Sequence, residues 1–217
     1  MAITAKQVNE LRQKTGAGMM DCKKALTEAE GDMEAAVDIL RKKGQKVAAK
    51  RGDNEAKEGL VVAMTTEDGK SGVLVTVNCE TDFVAKNSDF HEFVSGIAKV
   101  ALNHLPESKD ALLGLAYNDK LSVGEKITEQ IGIIGEKIEL SEYEVIKAEN
   151  VVAYNHPGNQ LATIVGMTKS ADPEIGKHVA MQVAAMAPIA VDKEQVDKQT
   201  IDREIEVGKE LAIQEGK

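Results

Sequence analysis

The chain of 217 residues carries 27 Lys and Arg against 36 Asp and Glu, a net charge of −9. Its 42% hydrophobic and 29% charged residues are ordinary for a folded protein, and no apolar run approaches the ~20 residues of a membrane span. These values predict a cytoplasmic protein of one large or two to three small domains that has no membrane partner.

Three short helices are predicted at the N-terminus. Thr4 and Gln7 form a capping-box pattern, and Gly16 suits the left-handed exit of a first helix. A second helix is predicted from about Met19 to Ala29, and a third from Asp32 to Gly44. We interpret residues 1–51 as a three-helix domain of the ubiquitin-associated type, called the head below.

The head is basic in an acidic chain. Its net charge is +4, so residues 52–217 carry −13. Six of its basic residues fall between Arg41 and Arg51, with no acidic residue among them. A solvated helix tail and linker is the favoured interpretation, because no aromatic side chain is interleaved to stack on bases. We therefore expect no nucleic-acid partner.

A β-hairpin and a long helix are predicted next, in a core subdomain over residues 52–148. Strands at 60–66 and 73–79 flank Asp68-Gly69, a strong hairpin signal. Ser88 is predicted to cap an amphipathic helix that ends before Pro106. A short helix near Leu112 and a capping box at Ser122-Glu125 follow.

The second strand leads into an unusual polar turn, Glu80-Thr81-Asp82, which contains an aromatic residue. Phe83 is one of six aromatic residues in the chain. Its ring either folds back to cap the core or is offered to a partner as a hydrophobic finger, with Asp82 beside it. The sequence pattern leaves both alternatives open.

A second core subdomain is predicted over residues 149–217. A strand at 138–147 ends the first subdomain, and strands at 150–155 and 160–168 in the second precede a helix that begins at Asp172-Pro173. A last helix, over 193–214, has too few apolar positions for its length and requires a partner, for which a second copy of the chain is one candidate. Hairpin followed by helix thus occurs twice, which predicts an α+β protein with antiparallel sheets and a duplicated arrangement.

No catalytic, cofactor or metal site is predicted. The cysteines at 22 and 79 lack paired spacing and are interpreted as free, buried thiols. The histidines show no ligand spacing, and no phosphate-binding glycine motif follows a strand. We expect a protein that is not an enzyme and binds no nucleotide directly. The Met19-Met20 pair is interpreted equally as core packing or as an adaptable contact with a partner.

Two stretches carry a resemblance to a known family. The run VNCETDFVAK from Val77 to Lys86, and the run LRQKTGAGMMDCKKAL from Leu11 to Leu26, are similar to the two signatures of the bacterial elongation factor Ts family. Both occur in the family's order and at about its spacing, and the resemblance covers the chain, loosely between about 105 and 150.

The resemblance implies a guanine-nucleotide exchange factor that binds elongation factor Tu. It places partner contacts at positions in the head, in the Thr-Asp-Phe-Val motif and in the C-terminal half. These positions are Arg12, Met19, Met20, Thr81, Asp82, Phe83, Val84 and His156. It implies that Asp82 and Phe83 wedge near the magnesium and phosphate site of the partner and promote GDP release without covalent chemistry.

The chain departs from the family after His156. Many relatives continue Pro-Gly-Gly-Arg-Ile-Gly, whereas Gln160-Leu161-Ala162 here lacks the arginine. Relatives are also expected to continue beyond the equivalent of Lys217. Without the resemblance, an adaptor whose head binds a ubiquitin-like or nascent-chain partner is the alternative function, and an RNA-binding protein is the third.

Overall fold

The computed structural model describes residues 3–216 and shows helices and antiparallel strands, confirming the α+β class. Helices span Ala5–Thr15 (α1), Met19–Glu28 (α2), Met33–Arg51 (α3), Asp82–Ala85 (α4), Ser88–His104 (α5), Lys109–Gly114 (α6), Val123–Ile134 (α7), Pro173–Met186 (α8) and Lys198–Gln214 (α9). Strands span Glu58–Thr65 (β1), Ser71–Cys79 (β2), Ile138–Lys147 (β3), Asn150–Asn155 (β4) and Ala162–Met167 (β5).

Helix α1 begins and ends at the predicted signals. Thr4 and Gln7 form both hydrogen bonds of the capping box, and Gly16 ends α1 at a φ of 72°. The three helices of the head share a small core of their own. It contains Val8, Leu11, Ala17, Cys22, Ala25, Leu26 and Ala36.

The predicted end of α3 at Gly44 is wrong, because the helix continues to Arg51. Gly44 is buried against α7, and a Cβ built on Gly132 would lie 2.7 Å from the Gly44 Cα. This close contact between backbones offsets the ~1 kcal/mol by which glycine weakens a helix. The basic run is therefore a helix tail, as predicted, and no part of it is a linker, while its Val47 packs against the central core.

A three-stranded antiparallel sheet in the order β1-β2-β3 forms that core. Val73, Val75, Val77 and Cys79 are fully inaccessible, as the period of two along β2 predicts. Helices α5 and α7 cover this face. The cap of α5 is Asn87, whose side chain accepts from the Asp89 amide, and Ser88, the predicted cap, is the first helical residue.

The second hairpin, β4-β5, packs on the opposite face of the sheet, where it contacts Val61 and Ala63. Asn155 donates to the Ala63 carbonyl at 2.9 Å and accepts from its amide at 2.8 Å. The Asn155 side chain thereby pairs with a backbone amide and a backbone carbonyl at the open edge of β1, as a further strand would. Helix α8 packs on β4 and β5, so the predicted repetition of hairpin and helix is confirmed.

The last predicted helix is interrupted. Residues Lys193–Gln195 form a 3₁₀ turn, and α9 begins only after Asp197, which accepts from the Thr200 amide at 2.9 Å. Every residue of α9 lies within the described part of the chain, and none of them is buried. Its apolar side chains, including Ile205 and Leu211, are exposed to solvent.

Candidate protein-binding site

Phe83 projects from the short helix α4, immediately after β2. Its side chain is 82% exposed, so the alternative that the ring caps the core of its own chain is wrong. Its neighbours are anchored, because Ala85 is buried and Val84 packs against the central core. The arrangement leaves one large aromatic ring in solvent on a fixed base, which is a typical feature of an interaction site.

Thr81 begins the helix that carries this ring. Its Oγ1 accepts from the Val84 amide at 3.4 Å, as an N-cap residue does. The polar turn predicted from Glu80-Thr81-Asp82 is therefore a helix start. The cap therefore precedes Phe83 by only two residues.

Asp82 pairs with Lys86 rather than with the core. The Lys86 Nζ lies 2.6 Å from the Asp82 Oδ2, at the helical spacing of four residues. This hydrogen bond holds the pKa of Asp82 below its ordinary value. The Lys86 side chain is exposed and the Asp82 side chain is about half-exposed, and such surface pairs contribute little to stability. The Asp82 carboxylate is therefore accessible to a partner's donors.

Two glutamates join this turn to the loop after α7, and no pattern in the sequence indicated either contact. Glu136 accepts from the Thr81 amide at 3.1 Å and from the Thr81 hydroxyl at 2.8 Å. Glu80 accepts from the Lys137 amide and from Arg51 at the end of α3. Because Glu80 and Lys137 are 57 positions apart, no local pattern in the sequence indicates this contact.

The methionine pair of the head is exposed. Met19 is 60% and Met20 is 62% exposed in the first turn of α2, whose buried residues lie further along the helix. The alternative that either side chain packs in the core is therefore wrong. Arg12 lies on the exposed part of α1. Residues 13–16, at the end of α1, line one open cleft together with Phe83 and Val84.

His156 lies at the turn between β4 and β5. Its Nδ1 is 2.8 Å from the Tyr154 hydroxyl, and the two rings are at an edge-to-face angle of 62°. His156 is not among the described residues that line the cleft beside Phe83. The structure thus brings the end of α1 together with Phe83 and places His156 outside this cleft, on the turn of the second hairpin.

Neither thiol chemistry nor metal binding is indicated within residues 3–216. Both cysteines are free and buried, and burial raises the pKa of Cys79 to about 11. No group of three metal-ligating side chains occurs in this range. Nor does any helix in the same range have the length and apolarity needed to cross a membrane.

Comparison with known proteins gives the same family along the chain. The family model described as elongation factor TS matches residues 80–217. Proteins named elongation factor Ts are similar over nearly the whole chain, with 51% identity in Christiangramia forsetii, 49% in Chloroherpeton thalassium and 45% in Porphyromonas gingivalis. The alignments cover 99%, 99% and 100% of this chain and 78%, 77% and 78% of these relatives. The similarity therefore includes the head, which precedes the matched range of the family model.

Proposed function

This chain belongs to the elongation factor Ts family and is therefore a translation elongation factor; from that premise we propose that it binds GDP-loaded elongation factor Tu and promotes GDP release. Asp82 and Phe83 enter the partner near its magnesium and phosphate site. The chain forms and breaks no covalent bond in this process and binds no nucleotide itself.

The physical basis of exchange is differential affinity. A protein that binds the nucleotide-free GTPase more tightly than the GDP-bound form weakens GDP binding by the same factor. An exposed aromatic ring on an anchored helix suits this purpose. When the ring occupies space between elements of the partner, it displaces groups that would otherwise hold magnesium and phosphate.

The exposure of Phe83 on a well-supported helix is the observation that carries the proposal. In an interface, an aromatic side chain that fills a pocket on the partner is typically a hot spot. The Asp82 carboxylate beside it is exposed enough to exchange Lys86 for a donor of the partner. The weak surface pair costs little to break, so a donor of the partner can replace Lys86.

The head supplies a second contact with the same partner. Met19 and Met20 present flexible apolar side chains, which adapt to a partner's surface, and Arg12 adds a charged contact. Since the end of α1 and Phe83 line one cleft, the head and the finger can engage neighbouring parts of one GTPase domain.

His156 is proposed as a third contact, with another domain of elongation factor Tu. Its exposed position on the β4-β5 turn makes the ring available, and Tyr154 restrains it. In place of the family's arginine, Gln160 and Leu161 lie on the same turn, so contacts there are polar and apolar rather than ionic.

The test measures both directions of the linkage. Release of fluorescently labelled GDP from elongation factor Tu is followed with increasing amounts of the chain, and should accelerate to a plateau. Binding of the chain to nucleotide-free and to GDP-bound elongation factor Tu is then compared by titration calorimetry. We expect weaker binding to the GDP-bound form, and equal affinity for both forms would refute exchange by this mechanism.

A matched control separates specific contact from general hydrophobicity. Val191 is an exposed apolar residue, 98% accessible, that does not line the cleft beside Phe83. The Val191→Ala variant should stimulate GDP release as the unchanged protein does, whereas Phe83→Ala should stimulate it only weakly.

A further inference from the structure

The helix that carries Phe83 is held by a carboxylate from a distant loop. Glu136 follows Gly135, the residue that ends α7 in the left-handed conformation. Its Oε2 accepts from the Thr81 amide and its Oε1 from the Thr81 hydroxyl, at 3.1 and 2.8 Å. The same hydroxyl oxygen accepts from the Val84 amide. A hydroxyl that donates to one group and accepts from another is fixed in rotation, so Glu136 determines the orientation of the cap.

The contact is reciprocal. Glu80, the residue before Thr81, accepts from the Lys137 amide, the residue after Glu136, at 2.5 Å. Its two carboxylate oxygens also lie 2.9 and 2.8 Å from Nη1 of Arg51. Each loop therefore provides a carboxylate that receives an amide N–H of the other. Hydrogen bonds to charged acceptors are roughly twice as strong as neutral ones.

The support matters because α4 cannot fix itself. The helix has four residues, far fewer than the ~12 to 15 that an isolated helix needs even to be marginal. Phe83 is too exposed for its own ring to hold it in place. Its direction must therefore come from its base, which consists of the anchored side chains after it and the cap before it.

We propose that Glu136 is a positioning residue for Phe83, acting through Thr81 to hold α4 in the orientation that a partner requires. Its orienting effect is a property of this chain alone. Its effect on nucleotide release rests on the proposed function. A ring that is already oriented loses less entropy on binding, so loss of the support should weaken binding without removing any contact with the partner.

The first test observes orientation directly and needs no partner. The chain contains no tryptophan, so Phe83→Trp introduces a single fluorescent reporter at the finger. Glu136→Ala in this background should lower the fluorescence anisotropy at position 83, because the indole moves more freely. Glu144→Ala removes the same charge from an exposed position of β3 and should leave it unchanged. Unchanged anisotropy in folded Glu136→Ala would overturn the proposal.

A milder variant covers the case in which Glu136→Ala does not fold. Glu136→Gln keeps one carbonyl acceptor but turns an amide donor toward one of the two Thr81 donors. Its anisotropy should be lower than that of the parent Phe83→Trp protein, with a smaller decrease than the alanine substitution causes. An anisotropy equal to the parent value would overturn the proposal in this variant too.

The second test is a double-mutant cycle on GDP release. With Phe83 present, Glu136→Ala should slow stimulated release by about tenfold, as expected for loss of hydrogen bonds to a charged acceptor. In the Phe83→Ala background, Glu136→Ala should have no further effect, because there is no ring left to position. An equal loss in both backgrounds would show that Glu136 acts elsewhere and would overturn the proposal. If the unchanged chain fails to stimulate release, the proposed function is wrong, and the anisotropy alone decides the role of Glu136.

Discussion

Phe83 and Phe90 lie seven residues apart and provide a comparison between an exposed and a buried ring. Phe90 is 2% exposed in the central core and contacts Phe93 with ring centroids 6.0 Å apart, whereas Phe83 is 82% exposed. Phe90→Ala should cost ~3 to 5 kcal/mol of unfolding free energy. Phe83 buries only about a fifth of its side chain, so Phe83→Ala should cost about 0.5 kcal/mol.

Thermal unfolding converts these energies into temperatures. For a chain of this size, 1 kcal/mol shifts the melting temperature by about 2 to 4 °C. Phe90→Ala should therefore melt about 6 to 20 °C lower, and Phe83→Ala within about 2 °C of the unchanged protein. Far-ultraviolet circular dichroism follows both transitions, since the head and the central core contain α-helices.

Binding should show the opposite order. An aromatic hot spot is worth ~2 kcal/mol or more, which corresponds to a roughly 30-fold weaker complex for Phe83→Ala with elongation factor Tu. Phe90→Ala, measured below its melting temperature, should bind nearly as well as the unchanged protein. The reasoning is refuted if Phe83→Ala melts far below the unchanged protein yet stimulates GDP release normally, because the ring would then serve the fold.

Other predictions concern the packing, the pH response and the two ends of the chain. Gly44→Ala should destabilise the fold by ~1 to 3 kcal/mol in urea unfolding, because its Cβ would lie 3.0 Å from a carbonyl oxygen of α7. Gly208→Ala is the control and should not destabilise the fold, because a Cβ there would meet no atom within 4 Å. Equal effects of the two substitutions would contradict the close packing. The pKa of Glu80 is lowered, mainly by the hydrogen bond from the Lys137 amide and further by Arg51. The stability that ionised Glu80 contributes is therefore present above its unfolded pKa and is lost as the pH falls through its folded pKa. Glu80→Gln should flatten that acid-side loss, and an unchanged pH profile would contradict it. Changing both methionines at the start of α2 to alanine should weaken binding to elongation factor Tu while the melting temperature stays constant, and unweakened binding would exclude the head contact. Amides of α9 should exchange rapidly with deuterium in the isolated monomer, and protection that persists at high dilution would show that the helix docks on its own chain.

Local signals predicted the elements whose cause is local. The cap at Thr4, the glycine exit at Gly16 and the capping box at Ser122 all depend on residues within a few positions, and each is confirmed. The alternation along β2 was equally reliable, because a strand in the middle of a sheet buries one face regularly.

The misjudged elements depend on residues far away in the chain. In the sequence, Gly44 resembles a helix end. The structure shows that it is a contact with Gly132, 88 positions later, where the two backbones approach too closely for a side chain. The environment of Phe83 was left open rather than misjudged. A phenylalanine among these sequence neighbours is compatible with a buried or an exposed ring, and only the three-dimensional arrangement of α4 distinguishes the two alternatives. Glu136 could not be found at all, since its partner Thr81 is 55 positions earlier.

Because α3 is one continuous helix, the position of Arg51 beside the finger depends on the rotation and rise of that helix from the head. The helix starts in the head, and its last residue, Arg51, binds Glu80 beside the finger. Each residue of an α-helix adds a rotation of about 100° and a rise of about 1.5 Å. One residue inserted between Gly44, which packs on α7, and Arg51 would therefore turn Arg51 by more than a quarter of a circle away from Glu80. Substitutions of the exposed residues can accumulate in this segment, whereas an insertion or a deletion would separate Arg51 from the glutamate beside the finger.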